Sequence, residues 1–103
     1  MPELQILSAA AEEAEAAIRW YECEQPGLGK QLRATFDAAL DQLEAGTLAG
    51  SSMPGPIGRQ GVHRLVLRRF PYSIVFIPRG STITILAFAH HSRRPGYWRS
   101  RGP

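Results

Sequence analysis

A chain of 103 residues fits one domain, since the commonest domain size is about 100–150 residues. Hydrophobic residues at 44% and charged residues at 20% exclude a wholly disordered chain, and one core of modest size is attainable at this length. There is no apolar run near the ~18 residues of a membrane span, no basic-then-apolar leader, and a single cysteine, Cys23, without zinc-ligand spacing around it. A reducing cytoplasm is therefore expected, with no internal disulfide and no membrane partner.

The net charge of +3 conceals a segregation. Residues 1–45 hold all nine acids and only Arg19, Lys30 and Arg33, a net of −6, whereas residues 46–103 hold nine arginines and no acid, a net of +9. Such asymmetry within one small domain points to a polyanion-facing surface or an acidic partner. Eleven of the twelve cations are Arg, whose planar fork grips phosphate or carboxylate through two bonds at once.

In chain order, Leu4 to Leu7 is a short apolar stretch that suits a strand. Ser8 is placed to cap a helix over about 9–24, with Glu12 and Glu13 in its first turns. Ala10, Ala14, Ala17 and Tyr21, with Ile18 beside them, make one apolar face. Gln25-Pro26-Gly27 breaks it. Leu28, Leu32, Phe36, Ala39, Leu40 and Leu43 mark a second amphipathic helix that Gly46 ends, so residues 9–45 form an αα-hairpin. From 46 to 61, five glycines and two prolines without periodicity predict a loop, long enough to be functional or mobile.

Three strand-like runs follow. Val62 to Arg69 sets Leu65 and Leu67 against Arg64, Val66 and Arg68. Tyr72 to Ile77 lies between Pro71 and Pro78. Thr82 to Ala89 carries Ile83 and Ile85 on one face, Leu86 and Phe88 on the other. Short connections make residues 62–89 an antiparallel meander, and the basic tail 90–103 shows no hydrophobic face. The expected fold is α+β: a single domain over residues 1–103, two layers in the order β-α-α-β-β-β, with the helical hairpin on one face of an antiparallel sheet. The other sheet face is left for solvent or a partner.

The sequence contains no dinucleotide or Walker loop, no HExxH and no CxxC, and adjacent histidines such as His90 and His91 point to opposite faces of a strand. No metal and no cofactor are expected. What remains is a basic constellation of Arg59, His63, Arg64, Arg68, Arg69, Arg79, His90, His91, Arg93, Arg94 and Arg99, with Tyr97 among them. It is large enough to grip several phosphates. Metal-free RNA cleavage would need a base, cations at the phosphorus centre and an acid for the leaving oxygen. Histidines, arginines and Tyr97 supply all three types.

Two strings carry a resemblance. Residues 17–43 contain Trp20-Tyr21 and, after four further residues, Pro26-Gly27-Leu28-Gly29; residues 91–98 read His91-Ser92-Arg93-Arg94-Pro95-Gly96-Tyr97-Trp98. Together with the element order they resemble the RelE/ParE toxin superfamily of bacterial type II toxin–antitoxin systems, over about residues 3–99. The resemblance implies a RelE-like fold and a cognate antitoxin, small, acidic and partly disordered, seated on Trp20, Tyr21, Leu32, Phe36 and Leu40. It also implies one of two targets. The ribonuclease branch cleaves mRNA on the ribosome, with His91, Tyr97, Arg68 and Arg94 as its catalytic candidates here. The ParE-like branch poisons DNA gyrase, with Arg59, Arg64, Arg68, Arg69, Arg93, Arg94, Tyr97 and Trp98 as target-binding candidates. Ser73 and Ala89 stand where the ribonuclease branch keeps cations, so the resemblance is closer to the ParE-like branch.

Overall fold

The N-terminal strand is carried across the molecule to the last one. In the computed structural model, which describes residues 2–47 and 50–101, β1 (Glu3–Ile6) runs parallel to β5 (Thr82–His90). The five-stranded sheet continues antiparallel through β4 (Tyr72–Arg79), β3 (His63–Val66) and β2 (Ser51–Ser52), in the order β1-β5-β4-β3-β2. The architecture is α+β as expected, except that one pair of its sheet is parallel. A parallel pair needs a crossover, and α1 (Ser8–Glu24) with α2 (Leu28–Ala45) supplies it.

Ser8 does not cap α1. The Leu7 N–H still bonds the Ile85 carbonyl (3.2 Å) while the Leu7 carbonyl already accepts from the Ala11 N–H (2.9 Å). The chain thus passes from ladder to helix at Leu7, no side chain caps this end, and Glu12 and Glu13 lie beyond the first turn.

Ala10, Ala14 and Ala17 of α1 are buried against Leu32, Phe36, Ala39 and Leu43 of α2. Small residues on one helix let the other come close, and Gly29 marks the closest point. A Cβ there would stand 2.4 Å from the Ile18 carbonyl oxygen and 2.8 Å from the Glu22 Cβ. Gly29→Ala should therefore push the helices apart at a cost of about 1–3 kcal/mol. At roughly 4–8 °C per kcal/mol for a domain of this size, a thermal melt resolves it; an unchanged midpoint would show that the hairpin does not depend on this contact. The same turn is closed by Glu22, whose carboxylate accepts from the Gly27 N–H (2.8 Å) and the Gly29 N–H (3.0 Å). These bonds, that from Gly27 foremost, hold its carboxyl below the ordinary carboxylate range. The stability they lend is present above that range and is lost on acidification through the lowered value.

The expected alternation along the last strand fails at one point. Phe76 pairs with Ile85 but Val75 pairs with Ala87, so Leu86 is an extra residue, a β-bulge. The bulge shifts the phase by one: Ile83, Ile85 and Phe88 share the helix-side core, while Leu86 and Ala87 turn to the opposite side. On β4 the alternation is regular, with Ile74 and Phe76 toward the helices and Val75 and Ile77 away. Pro78 lies within β4, beyond the point where pairing with β3 ends at Phe76.

The far sheet face is not open, contrary to expectation. A second core gathers Val62, Val75, Ile77, Leu86, Ala87 and Trp98, flanked by Met53, Ile57 and Tyr97. The segment expected as a bare loop supplies part of this cover. It holds β2 and a short helix, α3 (Gly55–Arg59); residues 48 and 49 lie outside the described residues. Gly58 allows the tight return, because a Cβ there would collide with the Met53 carbonyl oxygen at 1.6 Å. The tail supplies the rest. It ends in a 3₁₀ turn, Arg99–Arg101, and Trp98, only 3% exposed, gives it the hydrophobic anchor that its charge obscured. Residues 102 and 103 fall outside the described residues.

Candidate functional site

Strands β3, β4 and β5 bring one end of the basic half together. Val66 pairs with Ser73, Ser73 with Ala89, and Tyr72 with His90. After His90 the chain turns, with the His91 N–H bonded to the Pro71 carbonyl (2.8 Å) and the Arg93 N–H to the His90 carbonyl (3.0 Å). The result is a cavity of about 180 Å³ walled by Arg64, Ser73, His91, Arg93, Arg94 and Tyr97. Within it the Ser73 hydroxyl and His91 Nε2 are 2.9 Å apart.

One acid enters this basic region from the opposite end of the sequence. Glu13 of α1 takes both guanidinium nitrogens of Arg101 (2.7 and 3.0 Å), the Phe88 N–H (3.1 Å) and the Tyr97 hydroxyl (2.5 Å). Arg101 also donates to the Leu86 carbonyl (3.1 Å), which ties the tail to the bulge. The Tyr97 ring carries the Arg93 guanidinium 4.0 Å from its centroid and that of Arg101 at 5.1 Å. Burial first, then the bond to Glu13, pushes the Tyr97 phenol far above its ordinary range. A phenol so held is a poor proton donor at neutral pH.

The residues expected to act as one constellation are thus divided. Arg64, His91, Arg93, Arg94 and Tyr97 share the cavity. Arg68 and Arg69 do not: they rim a separate groove of about 660 Å³ between α2 and β3, where Arg69 donates to the Gln31 side chain. The catalytic quartet accordingly loses Arg68 from the neighbourhood of His91, Tyr97 and Arg94. Arg59 ends α3 and lines neither space. Trp98, expected as a target-binding residue, belongs to the second core, where it anchors the tail behind the cavity. His63 is also structural, its Nδ1 donating to the Gly61 carbonyl (3.0 Å) and its ring stacked on Phe76.

Of the positions expected to meet an antitoxin, Leu32 and Phe36 are sealed in the helix-side core, and Tyr21 and Leu40 pack on its margin. Trp20 is 59% exposed. The groove beside α2 was missed. It is lined by Gln31, Ala34, Thr35, Ala38 and Gln42 from the helix, and by Leu65 and Val66 from the sheet. These α2 positions recur at helical spacing, but small and polar side chains do not register as an apolar stripe. Among the described residues, β2 pairs with β3 at His63 and Arg64, and Val66 further along β3 is 52% exposed. No three His, Cys, Asp or Glu side chains gather among the described residues, and no helix is long and apolar enough to cross a membrane.

Comparison with known proteins agrees with this geometry. The family model described as the ParE toxin of the type II toxin–antitoxin system parDE matches residues 4–95. A solved structure, the chromosomal ParDE system from P. aeruginosa, is 26% identical and superposes with a TM-score of 0.73, covering 87% of this chain and 96% of that one. No curated protein matches the sequence.

Proposed function

We propose that this chain, which belongs to the ParE toxin family of type II toxin–antitoxin systems, acts on DNA gyrase and is silenced by a cognate antitoxin. The observation that carries gyrase over mRNA is the state of Tyr97. RNA cleavage without a metal requires an acid and fixed cations at the phosphate, and losing one such electrostatic donor typically costs about 10²–10³ in rate. Here Glu13 holds the one phenol in the cavity, and Ser73 and Ala89 occupy its floor without charge. A poison that binds gyrase or its DNA complex needs only the exposed cations Arg64, Arg93 and Arg94. The test adds purified protein to gyrase with supercoiled plasmid and, separately, to programmed ribosomes. Inhibited supercoiling with intact mRNA is expected. Cut mRNA with unaffected gyrase would overturn the reading and assign His91, paired with Ser73, as the base.

The antitoxin belongs in the groove between α2 and β3. Its lining is mostly apolar, Val66 beside it is exposed, and Arg68 and Arg69 on its rim suit an acidic segment that folds on binding. Two double variants separate the surfaces. Arg68→Ala with Arg69→Ala should weaken antitoxin capture more than tenfold, about 1.4 kcal/mol, and leave gyrase inhibition intact. Arg64→Ala with Arg94→Ala should do the reverse. Equal loss of both activities in either variant would show one shared surface.

A further inference from the structure

Beside the basic cavity, at the C-terminal end of α1, lies an aromatic cleft that shares His90 and Arg93 with that cavity and adds Trp20, which the structure leaves exposed. We infer that it binds a nucleoside 5′-phosphate, free or within a single strand, with the base on Trp20 and the phosphate on Arg93. Two hollows of about 270 and 300 Å³ share Trp20, Tyr72, His90 and Arg93 in their linings. Each is near the ~300 Å³ lower bound of small-ligand sites.

The walls are aromatic rings packed on one another. Trp20 is set at 87° to the Tyr21 ring, 5.0 Å away, and Tyr21 in turn abuts Phe70. Tyr72 meets Phe36, so this side of the cleft is fixed to the helix-side core. His90 stands edge-on to Tyr72 at 5.1 Å, and its Nδ1 accepts from the Ser92 N–H (3.0 Å). A neutral His90 therefore carries its proton on Nε2 and is a donor there. An indole left in water at the C-terminal half of a helix, while the other tryptophan is buried, is a ready stacking face, and base–aromatic stacking contributes about 1–3 kcal/mol.

Charge selects the ligand. Among the described residues Arg93 forms no ion pair: the two recorded are Arg33–Glu15 and Arg101–Glu13. The one acid in the cleft, Glu13, is already matched by Arg101, so an incoming phosphate meets a net cation. An exposed π face beside a guanidinium that no carboxylate holds is more complementary to a base joined to a phosphate than to either alone.

The inference stands apart from the gyrase and antitoxin readings, because it is measured on the full chain by itself. Fluorescence and the indole N–H resonance of Trp20 are followed against adenosine monophosphate, adenosine, inorganic phosphate and a short single-stranded oligodeoxyadenylate. Saturable quenching with a shift of that resonance is expected from the monophosphate, the oligonucleotide or both, which separates the free from the chain-borne source. Adenosine should bind about tenfold more weakly, and phosphate alone should not move the indole. Arg93→Ala should bring the monophosphate down to the affinity of adenosine, and Trp20→Ala, an exposed substitution that leaves the melting temperature in place and is followed by titration calorimetry because it lacks the probe, should abolish binding of both. Silence toward both nucleotides, an equal response to phosphate alone, or binding retained in Trp20→Ala would overturn it.

Discussion

Trp98→Ala should be the most damaging single substitution in the tail, costing about 3–5 kcal/mol. Domains of this kind are stable by about 5–15 kcal/mol, so the variant would keep a fraction of its stability at best. The indole fills the second core between β4, β5 and the 53–62 segment. No other large side chain from the tail, Tyr97 apart, replaces it. Denaturant unfolding measures the loss, and protease sensitivity after Arg93 should rise with it. A cost below about 1 kcal/mol, the range of surface positions, would show the tail to be an appendage. Because Trp98 anchors the tail that carries Arg93 and Arg94, the proposed gyrase inhibition should fall in the variant even at temperatures where it stays folded.

Glu13→Ala ranks next. The carboxylate is the shared acceptor of Arg101, Tyr97 and the Phe88 N–H, and its removal leaves the phenol and the Phe88 N–H unpaired and Arg101 with the Leu86 carbonyl alone. Breaking a fully buried pair costs about 3–5 kcal/mol. The side chains here are 17–19% exposed, so solvent recovers part of that and about 2–4 kcal/mol is expected. A double cycle with Arg101→Ala isolates the pair. The phenol provides a second readout. Tyr97 keeps its proton above pH ~10, where an unfolded tyrosine ionises; Tyr72 does so too, chiefly through burial. The stability this confers is complete below that pH and is lost as pH rises beyond it. Without Glu13, phenolate absorbance of Tyr97 should appear at lower pH than in the parent. An unmoved titration would mean that burial alone holds the proton.

Both predictions concern contacts that the sequence could not display. The helices were legible because their signal is local: Ala10, Ala14 and Ala17 at spacings of four and three, a Pro-Gly break, Gly46 at the end. The family was legible for a related reason, since its two strings are contiguous. The bulge at Leu86 was not. Periodicity assumes one residue per step, and only the pairing of Val75 with Ala87 reveals the extra one. In the 46–61 segment the glycines and prolines that advertised a loop are the residues that allow a short helix to fold back on Met53. Trp98 stands in a tail whose arginines hide any hydrophobic face, yet one large aromatic is enough to bury a tail whose charges stay in water. Glu13 was counted among the acids of the other half. Net charge by segment says nothing of which carboxylate the fold carries across.

The pairing of the first strand with the last sets an order of events during synthesis. Residues 3–6 find their partner only at residues 82–85, so the sheet cannot close until nearly the whole chain exists. At translation rates of about 5–20 residues per second, that interval is roughly 4–15 s. The helical hairpin, made of local contacts, is free to form at once, but the basic cavity waits, since its walls come from β3, β4, β5 and the tail. A nascent molecule therefore carries its acidic half for seconds before it possesses the surface proposed to meet its target.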